Sequence, residues 1–493
     1  MSSSEPDRAV PDPRRWKALA LLCVAMFVVN LDAQIVLLAI PSIEQDLGFT
    51  SGSEQWVLSA YLLTFGGLLM LGGRMADLLG RRRMFFIGTT MFLLASVLCG
   101  LAWTGEVLIA ARTLQGASAA VMAPTALSIL VTTFDEGSER NKALGIWSGI
   151  AGFGATAALL VGGPINDLLG WEWIFFLNVP IALILLGLGP VLLRESRGER
   201  RNAFDIAGAI TVTLALVLLV YAVVEAPDAG WLSAQTLGLI AASIVVFAIF
   251  AWVETRSAAP LVPLRIFRNG TLVGGNIVML LLGMIGFGMG LLVSLYAQQV
   301  LGYSALIFGL GMAVMTVMTV FGSAVGQALV TRVGFKPVAA GAMTLLGIGC
   351  LLLSRISPDG SYLGDILIPL LVFGPGLGGC YVAATIASQT GVAADEAGLA
   401  SGINSAGFQI GGALGVAICS TVAASVTGAA TGTVAINDGF RAAFIACVVF
   451  AVLGLAVALL LRANRPAASP AAPAAEDVPA PRTGAPVHAQ AGE

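Results

Sequence analysis

The chain has 493 residues, of which 57% are hydrophobic and only 11% charged, with a net charge of −3 at pH 7. Soluble domains carry about 25% charged residues, so this composition excludes an ordinary water-soluble core and a basic nucleic-acid-binding domain, and fits a polytopic membrane protein. Its six cysteines (Cys23, Cys99, Cys350, Cys380, Cys419, Cys447) all lie in apolar segments without a CxxC pair, and its one histidine is His488 near the end, so no metal site, disulfide, cofactor or histidine catalysis is expected.

In chain order, residues 1–15 mix acids, prolines and arginines and read as a tail. No small-residue cleavage site follows the first apolar run, which therefore reads as a retained helix. Fourteen apolar segments of about 20 residues follow, each long enough to cross a bilayer. They lie near 16–40, 55–76, 84–103, 106–133, 143–165, 173–193, 206–224, 235–253, 272–298, 305–331, 336–356, 365–390, 399–426 and 440–461. Residues 464–493 are rich in Ala and Pro and are expected to be a disordered tail.

The placement of charge orients these segments. With the N-terminus cytoplasmic, every Lys and Arg except Arg112, Arg355 and Arg441 falls on the cytoplasmic side, as the positive-inside rule requires. The opposite loops hold acids instead, among them Glu44, Asp46, Asp167 and Glu172. Trp16, Trp103, Trp171, Trp231 and Trp252 fall near expected interfaces. Both termini are thus expected in the cytoplasm of a multi-pass cell-membrane protein.

An internal echo divides the chain. GGRMADLLGRRR (72–83) follows the second segment and GQALVTRVGFKP (326–337) follows the tenth. Both leave a helix through Gly and end in basic residues. Aligning them makes segments 1–6 (16–193) and 9–14 (272–463) two six-helix bundles, with residues 194–271 an inserted helix pair. Repeated halves around a midplane site are a transporter architecture.

Two charges lie deep in the apolar segments: Asp32 and Arg112. A carboxylate at a helix centre costs about 2.5–3.5 kcal/mol on insertion scales, so such residues mark function by default. One reading is a carboxylate that exchanges a proton, tuned by Arg112; the other is a permanent ion pair that holds two helices together. Arg112, Gln115, Gly116 and Ala119 share one helical face, a polar, small-residue stripe suited to a cavity wall. Candidate substrate contacts are Asn30 and Gln34 in the first segment, Tyr61 in the second and Gln115 in the fourth. In the second half they are Asn276, Phe287 and Tyr296, then Tyr381, Asn404 and Gln409. Each also has a plain reading as a helix-packing residue.

Several separated motifs resemble those of the major facilitator superfamily, and in particular its fourteen-helix drug:proton antiporters (QacA/EmrB type). The loop with Gly73, Asp77, Gly80, Arg81, Arg82 and Arg83 resembles the superfamily's signature loop. LDAQIVLLAIP (31–41), RTLQGASAAVMAP (112–124), GWEWIFFLNVPIA (170–182) and GLASGINSAGFQIGGALGVA (398–417) resemble antiporter motifs. The resemblance implies an all-α fold of two six-helix bundles plus an inserted pair, and cavity-lining first and fourth helices. It also implies a conformational latch at Gly73–Arg82 and proton-driven export of amphipathic small molecules. Proton-coupled uptake of a metabolite on the same fold is the alternative; no enzyme activity is implied. Four positions depart from the family: Leu159 replaces a Pro of the fifth-segment motif, Gln34 and Leu37 replace Thr and Asn, and Glu172 replaces Arg. Gly149, Gly154, Gly162 and Gly163, with Pro164, still give the fifth helix a small-residue packing face.

Overall fold

The computed structural model describes residues 13–49, 53–134, 138–195, 205–257, 260, 262, 264–392, 397–428 and 432–461. Both expected tails lie almost wholly outside these residues. The described residues are helical nearly throughout, because a backbone in hydrocarbon must satisfy its own hydrogen bonds. In order the helices are α1 (Arg15–Leu47), α2 (Trp56–Leu79), α3 (Arg81–Gly100), α4 (Gly105–Thr133), α5 (Ser138–Leu169), α6 (Glu172–Phe176), α7 (Asn178–Leu192) and α8 (Ile206–Ala229). There follow α9 (Ala234–Arg256), α10 (Gly270–Leu295), α11 (Ala305–Val333), α12 (Phe335–Leu353), α13 (Ile368–Gln389), α14 (Ala397–Thr427) and α15 (Thr433–Leu460). Among the described residues, 13 helical segments are long and apolar enough to cross a membrane, α6 and α7 together forming one of them. The protein is a multi-pass membrane protein.

The first helix departs from expectation. The first apolar segment is expected near 16–40, yet α1 runs through Pro41 to Leu47 and ends in a left-handed cap at Gly48 (φ 64°). Proline lacks the N–H that would bond to the carbonyl four residues back, which frees the oxygen of Leu37. Ser294 on α10 donates its hydroxyl to that oxygen at 2.7 Å. The tertiary partner makes an interior proline tolerable.

The helices pack in a repeated pattern. α1 lies against α5, α2 and α3 against α4, and α3 against α7. Correspondingly, α10 lies against α14, α11 and α12 against α13, and α12 against α15. The two groups meet along two seams, α2 with α14 and α5 with α11. The remaining helices, α8 and α9, pack on each other, and α8 lies against both α2 and α14. Tyr221 of α8 stacks near Trp56 of α2 at 6.3 Å, while Thr421 of α14 donates its hydroxyl to Val223 O at 3.1 Å.

Small residues let backbones approach at these crossings. A methyl group built at Gly116 on α4 would overlap Thr64 Oγ1 and the Tyr61 carbonyl of α2. Overpacking of this kind costs about 1–3 kcal/mol. Gly187 on α7, by contrast, has open space where a methyl would sit. Gly116→Val is therefore expected to lower the thermal unfolding midpoint in detergent and Gly187→Ala to leave it unchanged or slightly raised, read by a fluorescence melt of the purified proteins.

Candidate functional site

Asp32, Arg112, Gln115 and Tyr61 come together in one buried cluster, each with no exposed surface. Arg112 Nη1 donates to Asp32 Oδ2 at 2.7 Å and to Gln115 Oε1 at 2.8 Å. Gln115 Nε2 donates to Asp32 Oδ1 at 2.8 Å and to Ser96 Oγ at 2.9 Å. Asn178 Nδ2 donates to the same Oδ1 at 2.7 Å. Arg112 Nε donates to the carbonyl of Val57 at 3.0 Å, and its guanidinium lies 4.2 Å from the Tyr61 ring centroid. The Phe175 ring stands on another side at 5.8 Å. Five helices thus converge on one carboxylate: α1, α2, α3, α4 and α7.

Local sequence explains this convergence. Arg112 and Gln115 are one turn apart on α4, so both side chains meet the same neighbour. Gly116 follows at once, and its close contact with α2 brings Arg112 Nε to Val57. Asn178 opens α7, directly after the short α6 that carries Phe175.

This geometry corrects one expectation. The stripe of Arg112, Gln115, Gly116 and Ala119 is a helix–helix contact, fully buried, and not a cavity wall. Asp32 likewise faces no open space in this conformation, so it cannot lie directly against a bound molecule here. Asn178 and Ser96 were not singled out in the sequence. Asn178 stands in the quoted motif GWEWIFFLNVPIA as a polar side chain in an apolar run, a signal that could have found it.

The other candidates separate into groups. On α1, Asn30 and Gln34 are half-buried, and Asn30 Nδ2 donates back to Met26 O at 2.9 Å. Gln409 lies in the α2–α14 seam, its Cβ 3.2 Å from a methyl built at Gly66. On α10, Asn276 Nδ2 donates to Leu272 O at 2.9 Å. Phe287 and Tyr381 flank Phe408 of α14, each with ring centroids 5.6 Å from it. Asn404, one turn from Phe408, accepts at Oδ1 from Thr385 Oγ1 at 3.4 Å. Tyr296 is a correction: its hydroxyl donates to Ser357 O at 2.8 Å, so it anchors the loop before α13 and does not join the central groups.

At the signature loop, Gly80 has φ 105°, a conformation that favours glycine. The acid that caps the start of α3 is Glu195, which the sequence did not point to. Its carboxylate accepts from the backbone N–H of Arg82 at 3.1 Å and of Arg83 at 3.2 Å, a favourable place for negative charge. Arg82 Nη2 donates to Pro190 O at 3.1 Å, while Arg81 is half-buried and Gly73 faces Pro124. The side chain of Asp77 lies outside the described residues. On α5, Gly149 also lies outside them and Pro164 is half-buried. Gly154 packs on Phe27 and Gly162 on Ile35 and Leu38, all of α1. Gly163 packs instead on Ala305 and Leu306 of α11, across the seam, and Asp167 Oδ2 accepts from the Leu306 N–H at 3.1 Å.

The family model described as Major Facilitator Superfamily matches residues 22–416. The chain belongs to the major facilitator superfamily. It is a transporter and not an enzyme. It is 37% identical to the puromycin resistance protein pur8 of Streptomyces alboniger, over 82% of this chain and 81% of that one. It is 39% identical to the cephamycin export protein CmcT of Amycolatopsis lactamdurans, over 80% of this chain and 82% of that one. Its fold is similar to the crystal structure of a bacterial homolog of the human lysosomal transporter Spinster, in an inward-facing, unoccupied conformation. That match has a TM-score of 0.64 at 17% identity and covers 92% of this chain and 98% of the other.

Removing one member of a buried ion pair leaves an uncompensated charge, which costs about 3–5 kcal/mol, whereas apolar replacement of both is often neutral. Arg112→Met is accordingly expected to be strongly destabilised. The double variant Asp32→Leu/Arg112→Met should recover most of the loss, as measured by thermal unfolding of the purified proteins.

Proposed function

We propose that this chain exports amphipathic small molecules across the cell membrane by alternating access, driven by proton entry, with Asp32 and Arg112 as the coupling pair. The observation that carries this reading is the fully buried Asp32–Arg112 pair in a superfamily member whose relatives include an antibiotic resistance protein and an antibiotic exporter. An intramembrane ionisable residue marks a functional site by default.

The hydrogen bonds suggest how a proton would be coupled to movement. As a carboxylate, Asp32 accepts from Arg112, Gln115 and Asn178. A proton on Oδ1 would confront two amide N–H donors, and a proton on Oδ2 would confront the guanidinium. Proton uptake therefore requires these contacts between α1, α4 and α7 to rearrange. Coupling then runs through helix packing, with the carboxylate reached by water in another conformation of the cycle. Substrate and proton must each bind one conformation better than the other, or no shift occurs. The uptake alternative would call for further buried charges matched to a charged metabolite. Among the described residues, Asp32 and Arg112 are the charged side chains with no exposed surface at all.

The packing repeat supports two six-helix bundles, 16–193 and 272–463, with 194–271 inserted and fourteen transmembrane helices in all. The α5 helix, 32 residues long, supplies the fourteenth span. Arg15 pairs with Glu139 at 2.9 Å and Arg14 Nη1 donates to Val191 O at 3.3 Å, which gathers the start of α1, the start of α5 and the end of α7 at one basic end. That end is assigned to the cytoplasm, together with both termini.

Two experiments test these assignments. Asp32→Asn leaves Arg112 unpaired and is expected to be less stable than the wild type; its monodisperse fraction, in inverted vesicles holding a proton gradient, should give no proton release on addition of a transported drug, and wild-type release by that fraction would refute the coupling role. For topology, a cysteine at Ser138 should resist an impermeant thiol reagent applied to intact cells and one at Ser53 should react; the reverse pattern would invert the assignment.

A further inference from the structure

The central part of the second half presents a polar and aromatic surface to which no role has been given. α13 is flanked by α10, α11 and α12, and its face bearing Tyr381 and Thr385 turns toward α14. There Tyr381 meets Phe408 edge-on, with an interplanar angle of 88°, yet stays 45% exposed. One turn along both helices, Thr385 donates to Asn404 Oδ1. Asn404 is only 4% exposed, and among the described residues its Nδ2 has no hydrogen-bond partner. A buried amide donor without a partner is costly. It lies one helical turn from the Tyr381–Phe408 pair and, like Asp32, is covered in this conformation, so a ligand reaches it only when α13 and α14 part at that level.

Charge is the second constraint. The described charged residues of α10–α15, such as Arg332, Lys336 and Asp438, lie toward helix ends, except Arg441, which sits two turns into α15, exposed and donating to Ser354 O and Asp438 Oδ1. In the first half, Asp32 and Arg112 neutralise each other and have no exposed surface. Among the described residues, the fully buried charges of both halves are the mutually paired Asp32 and Arg112. A permanently charged ligand held between the halves would lose its hydration without a counter-charge, which is expensive.

We propose that the cargo is an uncharged aromatic compound bearing a hydrogen-bond acceptor such as a ketone, held by its ring on Tyr381 and Phe408 and by its oxygen on Asn404 Nδ2. This deepens the export reading and rests on it for the word cargo. Tyr381 and Phe408 supply ring contacts, which prefer edge-on or offset arrangements. Asn404 supplies discrimination, because a donor buried in a binding site penalises analogues that lack the acceptor.

The test measures equilibrium binding of three probes to the purified full chain in lipid nanodiscs by isothermal calorimetry. Fluorenone carries the ring system and a ketone; fluorene is the same shape without the oxygen; tetraphenylphosphonium is a permanent aromatic cation. Fluorenone should bind at least about tenfold more tightly than either of the others. Asn404→Leu should erase the preference for fluorenone over fluorene. Tyr381→Ala should weaken both neutral probes about tenfold, and Tyr381→Phe should restore them. Tetraphenylphosphonium binding as tightly as fluorenone, or an unchanged fluorenone preference in Asn404→Leu, would overturn the proposal. Fluorenone binding as expected without any gradient-driven transport would uphold this site and overturn export; gradient-driven transport of tetraphenylphosphonium with weak fluorenone binding would do the opposite.

Discussion

A carboxylate and a guanidinium 2.7 Å apart, both sealed from solvent, govern the first half of this transporter. Taking two charges out of water is costly, and their mutual attraction offsets it only when geometry is good and the remaining donors and acceptors are met. Asp32 meets that condition through Gln115 and Asn178; Arg112 meets it in part, through Gln115 Oε1, Val57 O and the Tyr61 face, while its Nη2 has no hydrogen-bond partner among the described residues. Each partner comes from a different helix or a different turn. The network therefore sets the relative depth and rotation of α1, α2, α4 and α7 more narrowly than apolar contacts could, since lipid tails offer helices no hydrophobic incentive to associate. The same tightness makes a proton on Asp32 structurally consequential, because it must displace at least one donor.

The contacts between the halves are of another kind. Beside the packed seams α2–α14 and α5–α11, polar bonds join the halves: Ser294 on the carbonyl freed by Pro41, Gln299 on Glu44 at 3.1 Å, and Asp167 on the start of α11. All three lie toward the acidic end of the bundle. Single hydrogen bonds are worth about 0.5–1.5 kcal/mol each, small enough to be made and broken within a transport cycle. The buried charge network belongs to the first half alone, whereas the seams hold by small-residue packing and neutral or half-exposed polar bonds. α8 complicates this division, since it touches α2 and α14 at once.

Much of this was legible in the sequence, and the reasons for the exceptions are physical. Segment positions followed from apolar length alone, and the Asp32–Arg112 pair from a census of charges away from helix ends. Gln115 followed from its one-turn offset. The stripe on α4 was misread because periodicity tells which residues share a face, not what that face meets; the deciding residue, Gly116, fits a cavity wall and a tight crossing equally well. Glu195 could not have been found, since its capping role depends on the end of α7 reaching the start of α3. Asn178 and Phe408 stood inside quoted motifs yet carried no signal of which neighbours they would meet.

The neighbouring glycines of α5 have one more implication. Gly162 abuts α1 within its own half, whereas Gly163 abuts α11 in the other. Consecutive helical residues point about 100° apart, so one ribbon of backbone is both a weld and a bearing. If the halves rock, α5 must stay fused along one edge while sliding along the next. Bulk added at the first would loosen a joint; bulk added at the second would jam a moving part. Two substitutions one residue apart would then yield opposite defects, a fragile carrier and a stuck one.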